Sequence, residues 1–82
     1  MTTDELRARA HDLDATLRVG KRGVEAVADE ADDQLADRDL LKVKFLRAAR
    51  GGTSVEELAT DLAGRVDAEV VETRGNTAVL HR

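Results

Sequence analysis

The sequence predicts a small α/β domain in which three helices pack on a four-stranded mixed sheet. Apolar residues recur at the spacing of amphipathic helices in three segments, and short strand-like segments lie between and after them. The resulting order is helix, strand, helix, strand, helix, strand, strand, which is typical of a two-layer or three-layer α/β fold. Because the chain has only 82 residues and contains no linker-like tract, we expect one domain over residues 1–82.

The first half of the chain predicts a helix, a short strand and a second helix. Thr2 and Glu5 have the spacing of a capping box, which places the first helix at about residues 3–14. Residues 16–19 are an apolar-rich run that we interpret as a strand. The second helix, at about residues 24–38, has one apolar face. Its other face is acidic and carries Glu25, Asp29, Glu30, Asp32, Asp33 and Asp37.

The middle of the chain predicts a strand with one apolar and one basic side. Along residues 40–46 the apolar positions alternate with lysines, which is the period of a half-buried strand. The alternating residues are Leu41, Lys42, Val43, Lys44 and Phe45. A loop over residues 47–53 follows and contains two adjacent glycines near its end.

The last third of the chain predicts a helix and a β-hairpin. Ser54 and Glu57 form a second capping box, and the helix behind them is expected to stop at Gly64. Residues 68–72 and 77–81 are interpreted as two strands. The turn between them contains Arg74, Gly75 and Asn76.

The composition excludes several classes of function. The absence of cysteine excludes disulfides, thiolate metal sites and thiol catalysis. Phe45 is the only aromatic residue, so base stacking on an aromatic platform cannot be the main mode of nucleic-acid recognition. No apolar run is long enough for a membrane span, and we therefore expect a soluble cytoplasmic protein.

The charge balance alone does not identify a partner. The chain has 17 acidic and 13 basic residues and a net charge of −4. One interpretation is an ordinary acidic protein that avoids nucleic acid. The other starts from the ratio of ten arginines to three lysines and the many aspartates. That bias is typical of proteins from salt-adapted organisms, in which net charge reflects the solvent more than the partner.

No arrangement of residues predicts catalysis. His11 and His81 are the only histidines, and neither has the companions of a nucleophilic relay. The carboxylates of the second helix spread over a solvated face and do not form a calcium loop or a paired acid–base site. We expect no enzymatic activity, no metal and no cofactor.

The segment most indicative of binding is the Gly-x-x-Gly loop formed by Gly20, Lys21, Arg22 and Gly23. Two glycines allow the backbone to approach a ligand, and a helix start expected directly behind them would present free N–H groups. The two cations lie where a phosphate would be held. The alternative is a plain strand-to-helix turn, and the spacing is not that of a Walker loop.

All three lysines and most of the arginines fall outside the acidic second helix. If the first, second and fourth strands are neighbours, these cations form one basic surface with the acidic helix turned away. In the alternative interpretation the strand lysines only solvate a half-buried strand, and the loop and turn arginines only keep the surface soluble. The full set is Arg18, Lys21, Arg22, Lys42, Lys44, Arg47, Arg50, Arg74 and Arg82.

Four segments occur in an order and at spacings that resemble a known family. They are Leu6…Ala10-His11-Asp12-Leu13, Val19-Gly20-Lys21-Arg22-Gly23-Val24, Asp39-Leu40-Leu41-Lys42-Val43-Lys44 and Gly75…Val79-Leu80-His81-Arg82. The ordered set resembles the CRM domain (chloroplast RNA splicing and ribosome maturation) in its stand-alone, YhbY-like prokaryotic form. The resemblance covers about residues 5–82.

The resemblance implies an RNA-binding domain similar in shape to the C-terminal domain of translation initiation factor three. Stand-alone members are associated with precursors of the large ribosomal subunit. His81 stands where the family has a tyrosine. The positions that match the family's RNA-contacting loop, basic strand and closing arginine are Gly20, Lys21, Arg22 and Gly23, then Lys42 and Lys44, then Arg82.

These observations leave two main hypotheses and a third, weaker one. The first is a monomeric RNA-binding protein that acts on large-subunit ribosomal RNA or its precursor and binds neither DNA nor membranes. The second is an adaptor whose acidic second helix docks on a basic ribosomal or translation protein through Asp29, Asp32 and Asp33. The third is a KH-like module, in which the glycine loop would join two helices instead of following a strand.

Overall fold

A computed structural model describes residues 2–82 of the chain. The helices are α1 (Thr3–His11), α2 (Ala28–Asp37) and α3 (Val55–Arg65). The strands are β1 (Leu17–Val19), β2 (Leu40–Phe45), β3 (Glu69–Arg74) and β4 (Thr77–His81). Two 3₁₀ turns, Val24–Val27 and Arg47–Ala49, complete the regular structure. None of the described helices is long and apolar enough to cross a membrane.

The four strands form one mixed sheet in the order β1-β2-β4-β3. β1 runs parallel to β2, whereas β2 and β4 and also β3 and β4 are antiparallel. The predicted element order and the mixed four-stranded sheet are therefore confirmed. The first, second and fourth strands are neighbours, as a continuous basic surface requires.

The main core lies between the sheet and the helices α2 and α3. The alternation in β2 buries Leu41, Val43 and Phe45 on this side, and Phe45 has no exposed surface. Leu35 of α2 and Leu62 of α3 belong to the same apolar cluster. The apolar stripes of both helices therefore cover the same face of the sheet, as their periodicity predicts.

The helix α1 covers part of the opposite face and makes the fold three-layered. Ala10 packs against Leu40 and Val79 in a second, smaller apolar cluster. The guanidinium of Arg9 donates two hydrogen bonds, at 2.7 and 2.8 Å, to the carboxylate of Asp39 just before β2. These hydrogen bonds lower the pKa of Asp39 to about 2. They attach α1 to the sheet at the end where β2 begins.

Both predicted N-caps are confirmed. The Thr2 hydroxyl accepts from the backbone N–H of Glu5 at 3.2 Å, and the Ser54 hydroxyl accepts from that of Glu57 at 3.1 Å. The carboxylate of Glu57 does not complete the predicted box, because it accepts instead from the hydroxyl of Thr53 at 2.7 Å.

The predicted end of the third helix was wrong. Gly64 lies inside α3, which continues to Arg65. The chain leaves the helix through Asp67, which adopts a positive φ of 54°. The N–H of Ala68 donates to the carbonyl of Ala63 at 2.9 Å, so the last turn is closed behind the helix. An aspartate tolerates this left-handed conformation better than most residues, and a glycine is therefore not needed for the stop.

Candidate nucleic-acid interface

The topology brings four chain segments to one end of the sheet. β1 and β2 finish at this end with Val19 and Phe45, and the hairpin between β3 and β4 turns there. The N–H of Leu46 donates to the carbonyl of Val19 at 2.8 Å, and the N–H of Phe45 donates to that of Asn76 at 2.7 Å. These hydrogen bonds fix the glycine loop, the segment after β2 and the hairpin turn beside one another.

We call this region the basic end, because seven cations lie in it. They come from β1, from the glycine loop, from β2, from the segment that follows β2 and from the end of β3. Its members are Arg18, Lys21, Arg22, Lys44, Arg47, Arg50 and Arg74.

The glycine loop is a closed β-turn. The N–H of Gly23 donates to the carbonyl of Gly20 at 3.0 Å, so Lys21 and Arg22 occupy the two central positions, and both are exposed. Within residues 2–82 their own backbone N–H groups donate to no acceptor. The turn therefore offers two cations and two free N–H groups to solvent from a short, fixed piece of backbone.

The two glycines of the loop have different roles. Gly23 has φ 80° and ψ −178°, a conformation that only glycine adopts without strain. Gly20 does not have a positive φ, and a Cβ at this position would lie 3.8 Å from the Leu46 side chain, which is ordinary contact. The backbone conformation requires a glycine at position 23 but not at position 20.

The expectation that an α-helix begins directly behind the loop was wrong. Val24–Val27 form a 3₁₀ turn, in which the N–H of Ala26 donates back to the carbonyl of Gly23 at 3.3 Å. α2 begins only at Ala28. The N-terminal end of an α-helix therefore does not lie at the loop, and the loop's own N–H groups and cations are what it can offer an anion.

A row of polar side chains crosses the sheet next to the loop. In the strand register Arg18 lies opposite Lys44, Lys44 opposite Thr77, and Thr77 opposite Arg74. Residues opposite one another point to the same face of a sheet. Because Val43 and Phe45 point into the main core, the row points to the other face, beyond the part that α1 covers.

The cations of the basic end make no ion pairs within residues 2–82. The arginines that do pair with carboxylates lie elsewhere: Arg9 with Asp39, Arg65 with Asp61, and Arg82 with Asp32. Arg50 is partly buried, and its Nε atom makes no hydrogen bond in the described chain. The exposed cations of this region are thus available to an external anion.

Two of the sequence-predicted residues lie apart from the basic end. Lys42 shares the strand and face of Lys44 but lies one row closer to α1, opposite Val79. Arg82 lies at the other end of the sheet, where its guanidinium contacts the carboxylate of Asp32 and donates to the carbonyl of Val66 at 3.0 Å. Lys42 extends the basic surface, whereas Arg82 does not.

The acidic residues of α2 lie on the opposite side of the sheet from the row. Ala31 and Leu35 hold α2 against the main core, and its carboxylates face outward from there. The bases of the row and the acids of α2 therefore lie on opposite faces of the sheet, as the sequence predicts, whereas Glu72 lies on the face of the row, two residues before Arg74.

Sequence reasoning missed three residues of the basic end that are not cations. Thr77 lies at the centre of the row, Asn76 lies in the hairpin turn, and Leu46 is an exposed apolar residue beside Gly20. Asn76 and Thr77 could have been found from the predicted hairpin, because a hairpin turn lies at the end of its strands and therefore beside the end of a neighbouring strand. Their place in the row depends on register, which no local pattern shows.

Comparison with known proteins identifies the family. The sequence model of the CRS1/YhbY (CRM) domain matches residues 2–82. The chain belongs to this family. It is similar to the protein named "Probable RNA-binding protein MJ0652" from Methanocaldococcus jannaschii, with 46% identity over 77 residues, or 94% of this chain. The chain spans 58% of the length of that relative.

A solved structure supports the same assignment. The fold is similar to the solution structure of the hypothetical protein SAV1595 from Staphylococcus aureus, for which RNA binding has been suggested. The TM-score is 0.80 at 32% identity, over 98% of this chain and 82% of the other. The resemblance based on the four ordered motifs is confirmed, and the names of both relatives refer to RNA binding and not to an enzymatic activity.

Proposed function

We propose that this CRM domain acts by binding RNA through the basic end, on large-subunit ribosomal RNA or its precursor during ribosome assembly in the cytoplasm. The observation that carries the proposal is the convergence of seven cations without ion pairs at one end of an otherwise acidic protein. The family and its named relatives support RNA as the partner. The ribosomal target follows from the resemblance of the motifs to the stand-alone members.

In this proposal the glycine loop binds the phosphate backbone of the RNA. The free N–H groups of Lys21 and Arg22 and their side chains contact one or two phosphates, and the cations of β1 and β2 hold neighbouring ones. Phosphate contacts contribute affinity without sequence information. Recognition therefore depends on RNA shape, and the protein binds and does not catalyse.

The test is the double substitution Lys21→Ala with Arg22→Ala. Losing two phosphate contacts is expected to weaken binding to ribosomal RNA by about tenfold or more and to reduce the slope of log K against log salt by about 1.5. The matched control is Arg7→Ala with Arg38→Ala, which removes the same charge from exposed positions outside the basic end. The control should leave the salt slope nearly unchanged.

Crosslinking of the native protein in its own cell, followed by sequencing of the bound RNA, tests the identity of the target. Recovery of large-subunit ribosomal RNA, lost in the Lys21/Arg22 variant, is the expected result.

In the affinity measurement, an equal loss of RNA affinity in both double variants would show that only the net charge of the protein matters and would refute the role of the loop.

The acidic surface of α2 supports the adaptor as a second candidate. Its carboxylates are exposed, and Asp32 is the member that pairs with Arg82. Asp29→Asn with Asp33→Asn leaves that pair intact. Loss of a co-purifying protein in this variant, with unchanged RNA recovery, would favour the adaptor.

A further inference from the structure

The basic end has a shape that restricts the class of RNA it can hold. The row Arg18, Lys44, Thr77 and Arg74 crosses all four strands. Three strand spacings of about 4.8 Å make it about 14 Å wide between the outer Cα atoms. Arg18 and Lys44 lie at one side of the row and Arg74 lies at the other, with the hydroxyl of Thr77 between them.

The protein offers no aromatic platform for unpaired bases. Phe45 is the only aromatic residue in the sequence, and it is completely buried on the other face of the sheet. Proteins that bind single strands stack the bases on exposed aromatic side chains or arginine planes. The large apolar side chains exposed in residues 2–82 are Leu46 and Val70, and only Leu46 belongs to the basic end.

The centre of the row is polar in a way that suits ribose hydroxyls. The Thr77 hydroxyl donates to the carbonyl of Arg74 at 2.9 Å, which orients the group and leaves its oxygen lone pairs as acceptors. The Asn76 side-chain amide, next to it, makes no hydrogen bond within the described chain and can both donate and accept. A 2′-hydroxyl is a donor and an acceptor and can pair with both groups.

A double-stranded RNA presents the complementary pattern. Its minor groove is wide and shallow, with 2′-hydroxyls between two phosphate backbones. The minor groove of B-form DNA is about 6 Å wide and has no 2′-hydroxyl. A row about 14 Å wide is wider than the minor groove of B-form DNA, and its polar centre meets 2′-hydroxyls only in RNA.

We propose that the preferred ligand is double-stranded RNA, with the row lying across its minor groove and the glycine loop on an adjacent backbone phosphate. This inference rests on the proposed RNA-binding function and adds the structural class of the RNA. Arg18 and Lys44 contact one phosphate backbone, Arg74 contacts the other, and Thr77 and Asn76 contact the riboses between them.

Fluorescence anisotropy with three labelled probes of one sequence tests the proposal. The probes are an RNA duplex of about 20 base pairs, one of its strands chosen to be unstructured, and the DNA duplex, all at the same salt concentration. The full chain should bind the RNA duplex about tenfold more tightly than either of the other probes.

Two variants assign the preference to the row. Thr77→Val keeps the shape of the strand and removes the hydroxyl, and it should reduce the preference for RNA duplex over DNA duplex by about threefold to tenfold. Arg74→Ala should weaken duplex binding more than single-strand binding, because only the duplex has a second backbone at that side. Arg38→Ala, outside the basic end, is the control and should change none of the ratios.

The possible failures are distinguishable. Equal or tighter binding of the single strand would overturn the duplex proposal and leave the RNA-binding function intact. Equal binding of the DNA duplex would overturn the role of the 2′-hydroxyls. If none of the RNA probes binds, and ribosomal RNA does not bind either, the proposed function itself fails.

Discussion

The glycine loop allows a sharp test, because its two glycines should respond differently to the same substitution. Gly23 has φ 80° and ψ −178°, a region that costs a non-glycine residue about 1–3 kcal/mol. Gly23→Ala is therefore expected to lower the free energy of unfolding by about 2 kcal/mol. In a domain of this size that corresponds to a decrease in Tm of roughly 8–16 °C.

Gly20→Ala is the matched control within the same turn. The added methyl group would lie 3.8 Å from the Leu46 side chain, and the backbone at Gly20 does not have a positive φ. The free energy of unfolding should stay unchanged or rise by up to about 1 kcal/mol, because alanine reduces the freedom of the unfolded chain.

Thermal and urea unfolding of both variants, followed by circular dichroism, measures the difference. A Gly23→Ala variant as stable as the parent would show that the loop backbone can relax to an ordinary conformation. A Gly20→Ala variant destabilised as much as Gly23→Ala would show that the positive φ of Gly23 does not set the cost of substitution in this turn. Either result would refute the assignment of conformational need to Gly23 alone.

Two further predictions concern single positions away from the loop. Gly64 lies exposed inside α3, and a methyl group added there would meet no neighbouring atom within 4 Å, so Gly64→Ala should raise the free energy of unfolding by about 0.5–1 kcal/mol in urea unfolding. An unchanged or lower value would contradict this. The hydrogen bonds from Arg9 lower the pKa of Asp39 to about 2. Their contribution to the free energy of unfolding is therefore present above the unfolded pKa near 3.9 and is lost as the pH falls towards 2. Asp39→Asn should flatten this part of the pH dependence of unfolding, and an unchanged profile would contradict it.

Local patterns were sufficient for most of the fold. The alternation of Leu41, Val43 and Phe45 with lysines identified β2 and its buried side, and the hydroxyl caps at Thr2 and Ser54 identified two helix starts. Each of these signals acts within a few residues and can therefore be seen directly in a sequence. The family resemblance depended on the same local motifs taken in order.

The errors have physical reasons. The pair Val24 and Val27 has a spacing that fits both an α-helix and a 3₁₀ turn, and the hydrogen bond from Ala26 to Gly23 decides for the tighter form. A glycine near the end of a helical pattern usually marks the stop, but α3 passes through Gly64 and the chain turns away only at the left-handed Asp67. Neither the 3₁₀ turn nor the later end of α3 can be predicted from the local sequence, because each depends on the surrounding backbone.

The candidate site was predicted less completely, because it depends on contacts between distant parts of the chain. Arg82 is held by Asp32 and Val66, which are 50 and 16 residues away, so its sequence neighbours give no sign that it leaves the basic surface. The row through Thr77 likewise exists only in the register of four strands. The glycine loop, by contrast, is continuous in sequence and could be found from it.

The separation of the α2 carboxylates from the basic end explains how a chain with a net charge of −4 can attract a polyanion. The domain measures 34 × 24 × 19 Å, and α2 lies on the sheet face opposite the row. At physiological salt the Debye length is about 8 Å, so exposed carboxylates across the body of the protein are largely screened at the basic end. A phosphate there experiences the nearby cations, which no carboxylate of the described chain neutralises by an ion pair. The net charge therefore governs solubility and long-range approach, whereas the local arrangement of cations governs binding.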